Sequence, residues 1–263
     1  MAFENRLLLY ADILGWKRLL RAGDYEKATA AMECVHTYAQ DHNERFRQEL
    51  MERHGKPADW GDGVKRTYQA NPVFLAVQFG AFSDHFVFSM PDDFGSRILD
   101  AASWAIRQLM RMGFLTRGAV VTGPLSHVDN MVFGPALVEA VCIEERAEFP
   151  RIVVTEAAIQ RIFEEPDDPG YRPMIRDQFG QIVVNPFALP FETADQEALV
   201  AFARNNFFLS EIEDVIELQL TTLTGAGDAR AAGKWCYLRD FISGPVFSNQ
   251  PVLRQCWRTR CAV

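Results

Sequence analysis

The chain has 263 residues, 48% of them hydrophobic and 12% aromatic, with 27 Lys and Arg against 35 Asp and Glu for a net charge of −8. That stock of apolar side chains is enough for one large domain, or a core with an extension, and excludes intrinsic disorder as a class. The acidic balance argues against a protein that lives on duplex nucleic acid, which leans on phosphate neutralisation, but leaves a single nucleotide open as a ligand.

Five cysteines (Cys34, Cys142, Cys236, Cys256 and Cys261) are scattered without a CxxC pair. This is the pattern of reduced thiols rather than of a zinc or disulfide framework. The segment from Met1 to Arg6 lacks the basic and apolar regions of a signal peptide, and no apolar run is long enough to span a bilayer. A soluble, cytoplasmic protein with no membrane partner is expected.

In chain order, Leu7–Ile13 is a short apolar run with a single acid near its end, of a length that suits a buried strand. Leu14-Gly15-Trp16 turns the chain and Lys17–Arg21 opens a helical stretch. A long helix is predicted over Asp24–His54, where Ala28, Met32, Val35 and Ala39 recur at three and four. Gly55–Gly63 breaks it. Val73–Phe82 reads as a strand, Ser83-Asp84-His85 as a tight turn, and Phe86–Met90 as the returning half of a hairpin. A helix over Asp93–Met112 is stopped by Gly113.

Leu115–Thr122 is the next strand, closed by Gly123-Pro124, with a turn over Ser126–Asn130 and a short run from Met131 to Pro135. A helix over Ala136–Glu148 then leads to a strand over Arg151–Thr155. Strand, helix, strand, strand, helix, strand is the split βαβ order of a ferredoxin-like α+β sheet with helices on one face. Beyond Glu156 a loop is predicted over Pro166–Gly170 and an extra strand over Gln181–Val184. Asp195–Thr224 reads as mostly helical, and Gly225–Gly233 as a small-residue break. The expected division is a core over residues 1–156 and a mainly helical C-terminal extension over 157–263, packed on the core.

Two acids carry the chemistry. Asp12 ends the first strand and Asp84 sits in the hairpin turn; in a split βαβ fold these strands can be neighbours, so the two carboxylates can meet at one edge. Two hard oxygen donors there suit Mg²⁺ or Mn²⁺. Next to Asp12, the turn Ile13-Leu-Gly-Trp16 enters a helix, and its amides, with Gly15 allowing close approach, form a cradle for phosphate. Taken singly, Asp12 also reads as a helix N-cap and Asp84 as a turn former. Jointly, on this element order, they point to attack on a nucleotide phosphate.

Tyr10-Ala-Asp-Ile-Leu-Gly-Trp16, Phe82-Ser-Asp-His-Phe-Val-Phe88, Thr116-Arg-Gly-Ala-Val-Val-Thr-Gly-Pro124 and Phe133-Gly-Pro-Ala-Leu-Val138 together resemble the ordered signatures of class III nucleotide cyclases, over about residues 6–155. The stretch Phe133–Ile152 is most similar to the Pycsar pyrimidine cyclases of bacterial anti-phage defence, which make cyclic UMP or cyclic CMP. The resemblance implies a homodimer with active sites shared between protomers, two divalent ions (Mn²⁺ or Mg²⁺) on Asp12, Asp84 and the Ile13 carbonyl, and a nucleoside triphosphate held by the amides of Leu14, Gly15 and Trp16. UTP is the implied substrate, cyclic UMP the product, and a separate cyclic-nucleotide-sensing effector the downstream partner. A cytidylate cyclase and a degenerate, non-catalytic nucleotide-binding domain are the alternatives.

Where purine cyclases carry a lysine and an acid that read the base, this chain has Gly80 and Met131. Where they carry a transition-state Asn and Arg, it has Val138 and Cys142. Arg146, one turn further on, is the first candidate to replace the missing cation, with Lys234 and Arg117 behind it. Gln78, Gly80, Phe82 and Asp84 share strand parity, so Gln78 is a candidate reader of a pyrimidine edge and Phe82 a candidate stacking partner.

Overall fold

The computed structural model describes residues 3–54, 78–92, 97–128, 130–162, 173–189 and 195–257. The sequence-predicted break over Gly55–Gly63, the first part of the strand before residue 78, the helix start at 93–96, the loop over Pro166–Gly170 and Cys261 lie outside the described residues.

Strand β1 runs over Glu4–Leu14 and is followed by helices α1 (Trp16–Arg21) and α2 (Tyr25–His54). The hairpin β2 (Gln78–Phe82) and β3 (His85–Pro91) leads to α3 (Arg97–Arg111), and α3 to β4 (Leu115–Val128). Then come β5 (Met131–Phe133), α4 (Pro135–Arg146), β6 (Ile152–Val154) and α5 (Glu156–Ile162). The strands lie in the order β2-β3-β1-β4-β6-β8-β7, with β5 paired to β4 off that path. Because β3 is antiparallel to both β1 and β2, it separates the two strands that the α1–α2 crossover joins. That is the split βαβ arrangement, and the molecule is α+β as the element order predicts.

The sheet continues past residue 156. Strand β8 (Ile182–Val184) pairs antiparallel with β6 through Val153 and Val183, and β7 (Met174–Arg176) forms the edge. Helices α6 (Gln196–Phe207), α7 (Leu209–Gly225) and α8 (Ala229–Phe241) follow, and residues 242–256 wind in short turns of helix. Three details of the sequence reading are corrected. Helices cover both faces of the sheet and not one: α2 and α3 pack on one face, α4 on the other. Strand β4 does not stop at Gly123-Pro124 but continues to Val128 and pairs with β5, so Ser126 to Val128 are strand rather than turn. Gly123, at φ 154°, lets the strand bend without ending. Nor is 225–233 a continuous break: Asp228 caps α8 by accepting from the Ala231 amide at 3.0 Å, and the helix starts inside the small-residue block.

Alternation along β1 explains why its sequence is apolar throughout. Leu7, Leu9, Ala11 and Ile13 point into the larger core with α2 and α3, alongside Phe86, Phe88 and Leu109. Leu8 and Tyr10 point to the opposite face, where Val87, Ala119 and Val121 meet Ala136 and Ala140 of α4. With period 2, Asp12 falls on that second face. Register there is tight: Ala11 lies opposite Gly118, and a Cβ at residue 118 would come within 1.9 Å of the Tyr10 carbonyl oxygen, so only glycine fits.

Candidate active site at the sheet edge

The register sets the site. Asp12 lies opposite His85 on β3 and opposite Arg117 on β4, so all three side chains stand on the α4 face. The Ile13 amide donates to the Asp84 carbonyl at 2.7 Å, which ties the hairpin turn to the end of β1. One donor atom each from Asp12, Asp84 and His85 then falls within 4.8 Å of the other two. His85 Nδ1 is 3.2 Å from Asp84 Oδ1, and His85 Nε2 is 3.8 Å from Asp12 Oδ1. The two carboxylates are hard oxygen donors that suit Mg²⁺ or Mn²⁺, and an added imidazole nitrogen would favour a transition-metal ion such as Mn²⁺ over Mg²⁺.

The other oxygen of Asp12 faces a cation. Arg117 Nη2 is 3.3 Å from Asp12 Oδ2, while Nε of the same guanidinium contacts Glu144 Oε1 and Nη1 donates to the Ala147 carbonyl at 3.1 Å. Asp12 is only 7% exposed. Burial pushes its carboxyl above the usual aspartate range, Arg117 and His85 pull it back, and Asp84 adds to the rise. Burial likewise raises Glu144, against the pull of Arg117. The Tyr10 phenol is pushed up by burial and then by the nearby carboxylates, Glu144 first. Lys234, on α8, is held below the usual lysine value by burial and by the charges of Arg117 and Arg230, with Asp12 pulling the other way.

Beside the carboxylates opens a cleft of about 310 Å³ lined by Tyr10, Gly80, Phe82, His85, Val132 and Leu137 among others. Its rings are nearly parallel in series: Tyr10 and His85 stack at 5.3 Å and 23°, His85 and Phe82 at 6.2 Å and 16°. Phe82 is 77% exposed, so it serves no core and presents its ring at the cleft mouth. Gln78 is buried on the same face, opposite Ser89. A Cβ at Gly80 would lie 3.0 Å from Val87 Cγ2 and 3.4 Å from Val132 Cγ2, so a side chain there would have to push these two valines slightly aside.

The turn after Asp12 has the expected glycine: Gly15 sits at φ 92° and its carbonyl accepts from the amides of Arg18 and Leu19. The Trp16 indole packs inward against Phe114, so any contact this residue makes with a ligand falls to its backbone. The structure thus brings Asp12 and Asp84 together, follows them with Leu14, Gly15 and Trp16, and lines the cleft with Phe82.

Arg146 is not brought in. The buried stripe of α4 runs Ala136, Ala140, Glu144, and a residue two positions further turns to the other side of the helix, where Arg146 is exposed. Arg117 and Lys234, ranked behind it from sequence, are the cations that act on Asp12. Sequence reasoning missed Glu144 and His85 altogether. Glu144 had a signal, an acid four residues after Ala140 on an apolar stripe; His85 had only its place beside Asp84.

No family model matches the chain. None of the curated proteins matches it either. Solved structures do. The chain is similar to an adenylate/guanylate cyclase/hydrolase from Silicibacter pomeroyi at 17% identity, over 70% of this chain and 96% of that one, with a TM-score of 0.36. It is similar to the adenylyl cyclase CyaB from P. aeruginosa at 11% identity, over 72% and 96%, with a TM-score of 0.39. A third is the non-canonical dimeric guanylyl cyclase domain of the RhoGC fusion protein from Blastocladiella emersonii, at 11% identity over 70% and 95%, with a TM-score of 0.37. No described helix is long and apolar enough to cross a membrane.

Proposed function

We propose that the protein is a metal-dependent nucleotide cyclase that acts on a pyrimidine nucleoside triphosphate, converting UTP to 3′,5′-cyclic UMP and pyrophosphate. The observation that carries this reading is the convergence of Asp12, Asp84 and His85 within 4.8 Å beside a cleft of about 310 Å³. Asp12 and Asp84, with the Ile13 carbonyl, would hold two divalent ions. When bound, they supply Lewis-acid activation of the ribose 3′-hydroxyl and offset the charge of the departing pyrophosphate.

The chain's own side chains supply the rest. The exposed ring of Phe82 offers a face on which the base can stack, and Gln78 an amide with both donor and acceptor for its edge. Gly80 and Met131, standing where purine cyclases carry the lysine and acid that read the base, support a pyrimidine over a purine. Lys234, whose charge acts on Asp12, would draw the triphosphate, together with the amides of Leu14, Gly15 and Trp16. Exposed Val128, Met131, Phe133 and Val138, around the β4–β5 ribbon and the start of α4, favour a homodimer. The product would act on a separate effector in anti-phage defence, as the sequence resemblance implies.

A second reading, nucleotide binding without turnover, is favoured by Val138 and Cys142 standing where purine cyclases carry their transition-state Asn and Arg. One experiment separates the readings. The purified protein is incubated with Mn²⁺ and each of the four nucleoside triphosphates in turn, and the products are identified by mass. Cyclic UMP is expected. Cyclic CMP alone moves the assignment to a cytidylate cyclase, cyclic AMP or GMP alone overturns the pyrimidine reading, and no cyclic product leaves the binding domain.

A further inference from the structure

The Arg117 guanidinium is shared. Its Nη2 faces Asp12 Oδ2 at 3.3 Å, its Nε contacts Glu144, and its Nη1 is spent on the Ala147 carbonyl. One positive charge therefore serves two buried carboxylates, one from β1 and one from α4. Asp12 by itself would suffice to pair Arg117, since the two are direct neighbours in the β1–β4 register. Yet the chain also places an acid on the buried stripe of α4, and Glu144 is only 3% exposed. A second carboxylate in a low-dielectric site costs desolvation, so its presence calls for a return other than pairing alone.

We propose that Glu144 is a positioning residue of the metal site: by holding Arg117 it keeps that guanidinium from neutralising Asp12, so that Asp12 retains the negative charge with which to take a divalent cation. The physical reason is competition. A guanidinium fork can serve two acids at once, and its charge is divided between them. Without Glu144, Arg117 has Asp12 as its acidic partner across the register, and an arginine bound closely to a carboxylate competes directly with a metal ion for it. Asp12 Oδ1, on the side of His85 and Asp84, is the oxygen left for the ion. This inference rests on reading Asp12 as a metal ligand in the proposed cyclase.

The test is Mn²⁺ binding to the full-length chain, followed by electron paramagnetic resonance, in the unaltered protein and in E144Q, R117M, E144Q/R117M and D12N. E144Q is expected to bind Mn²⁺ about tenfold more weakly, the scale on which outer partners of metal ligands act. Adding R117M to E144Q removes the competing charge, and most of the lost affinity returns. R117M alone binds at least as tightly as the unaltered protein. A merely structural role for the pair predicts the reverse, with R117M and the double variant both weakened. Should E144Q not fold, the double variant decides alone, because replacing both partners of a buried pair with uncharged side chains is tolerated better than removing one.

Unchanged Mn²⁺ affinity in E144Q, or a double variant at least tenfold weaker than the unaltered protein, overturns the role given to Glu144 and leaves the metal site standing. If the unaltered protein binds no Mn²⁺, or D12N binds it as well, the metal reading falls and this inference falls with it.

Discussion

Asp12 and Asp177 are both buried, both on or beside the same sheet and both next to an arginine, yet they are kept in opposite conditions. Asp177, just after β7, takes an ion pair from Arg151, the Tyr237 hydroxyl at 3.0 Å, and the amides of Phe179 and Gln181 at 2.9 Å each. Burial pushes its carboxyl up, but Arg151 and the other donors outweigh that and hold it below the usual aspartate value. Asp12 has Arg117 at 3.3 Å and His85 at 3.8 Å, both longer than a charge-assisted hydrogen bond, and burial wins. The contrast shows that the number of donors reaching a buried acid, and not burial alone, decides whether its charge is satisfied; on the proposed function, the under-satisfied Asp12 is the one that takes a cation. Around Asp177, the rings of Phe149, Phe179 and Tyr237 stack face to face, which clamps α8 to the loop before β6. Among the described residues nothing comparable closes over Asp12, whose neighbour His85 lines, with Phe82, an open cleft.

Four results break or sharpen that contrast. The largest is catalytic. Asp12→Asn is expected to abolish turnover and Mn²⁺ binding while leaving the urea midpoint unchanged or higher, because burial already disfavours the charged carboxyl. A folded D12N with full activity would remove Asp12 from the site. Next comes stability. Asp177→Asn should cost about 2 kcal/mol in urea denaturation, since it takes a fully buried charge from its part-buried partner Arg151 and weakens the hydrogen bonds that converge on it. A loss below about 0.5 kcal/mol, the range of ordinary surface changes, would mean that these contacts do not make Asp177 a structural knot.

Phe82→Ala comes third. With the ring 77% exposed, stability should stay within about 0.5 kcal/mol of the unaltered protein. If the ring stacks on the base, KM for the triphosphate should rise about tenfold with kcat little changed. The smallest effect is the pH dependence. The lowered carboxyl of Asp177 contributes stability above the unfolded aspartate value near pH 4, lost as the pH falls through its lower folded value. The raised carboxyls of Asp12 and Glu144 act oppositely: their contribution is favourable in acid and lost as the pH rises from about 4 through their folded values. Urea midpoints between pH 3 and 7 should therefore lose part of their acid-side fall in D177N and part of their decline towards neutral pH in D12N.

Much of this was legible in the linear order. The apolar run around Asp12, the hairpin around Asp84 and the amphipathic stretch of α3 are local patterns, and each element stands where periodicity places it, give or take a few residues. The two errors of boundary share one cause. Strand β4 passes through Gly123-Pro124, and α8 begins within a glycine-bearing stretch, because pairing to β1 and packing of Trp235, Leu238 and Phe241 outweigh weak local propensities. Of the Asp177 knot only the turn to the Phe179 and Gln181 amides is local; the Arg151 and Tyr237 contacts, between β7 and distant segments, had no signal in the linear order.

By itself, then, the sequence determined the order of strands and helices, the face on which Asp12 falls, and the glycine demanded at position 15, since each depends only on period and backbone sterics. Which cation meets Asp12 was decided by the tertiary structure. On paper Arg146 stood ahead of Arg117, and only the β1–β4 register and the rotation of α4 bring the second to the carboxylate and turn the first to solvent. The same holds for Asp12 and Asp177. Charge and burial are properties of position in space, and the number of donors that reach a carboxylate is fixed only when distant segments have packed.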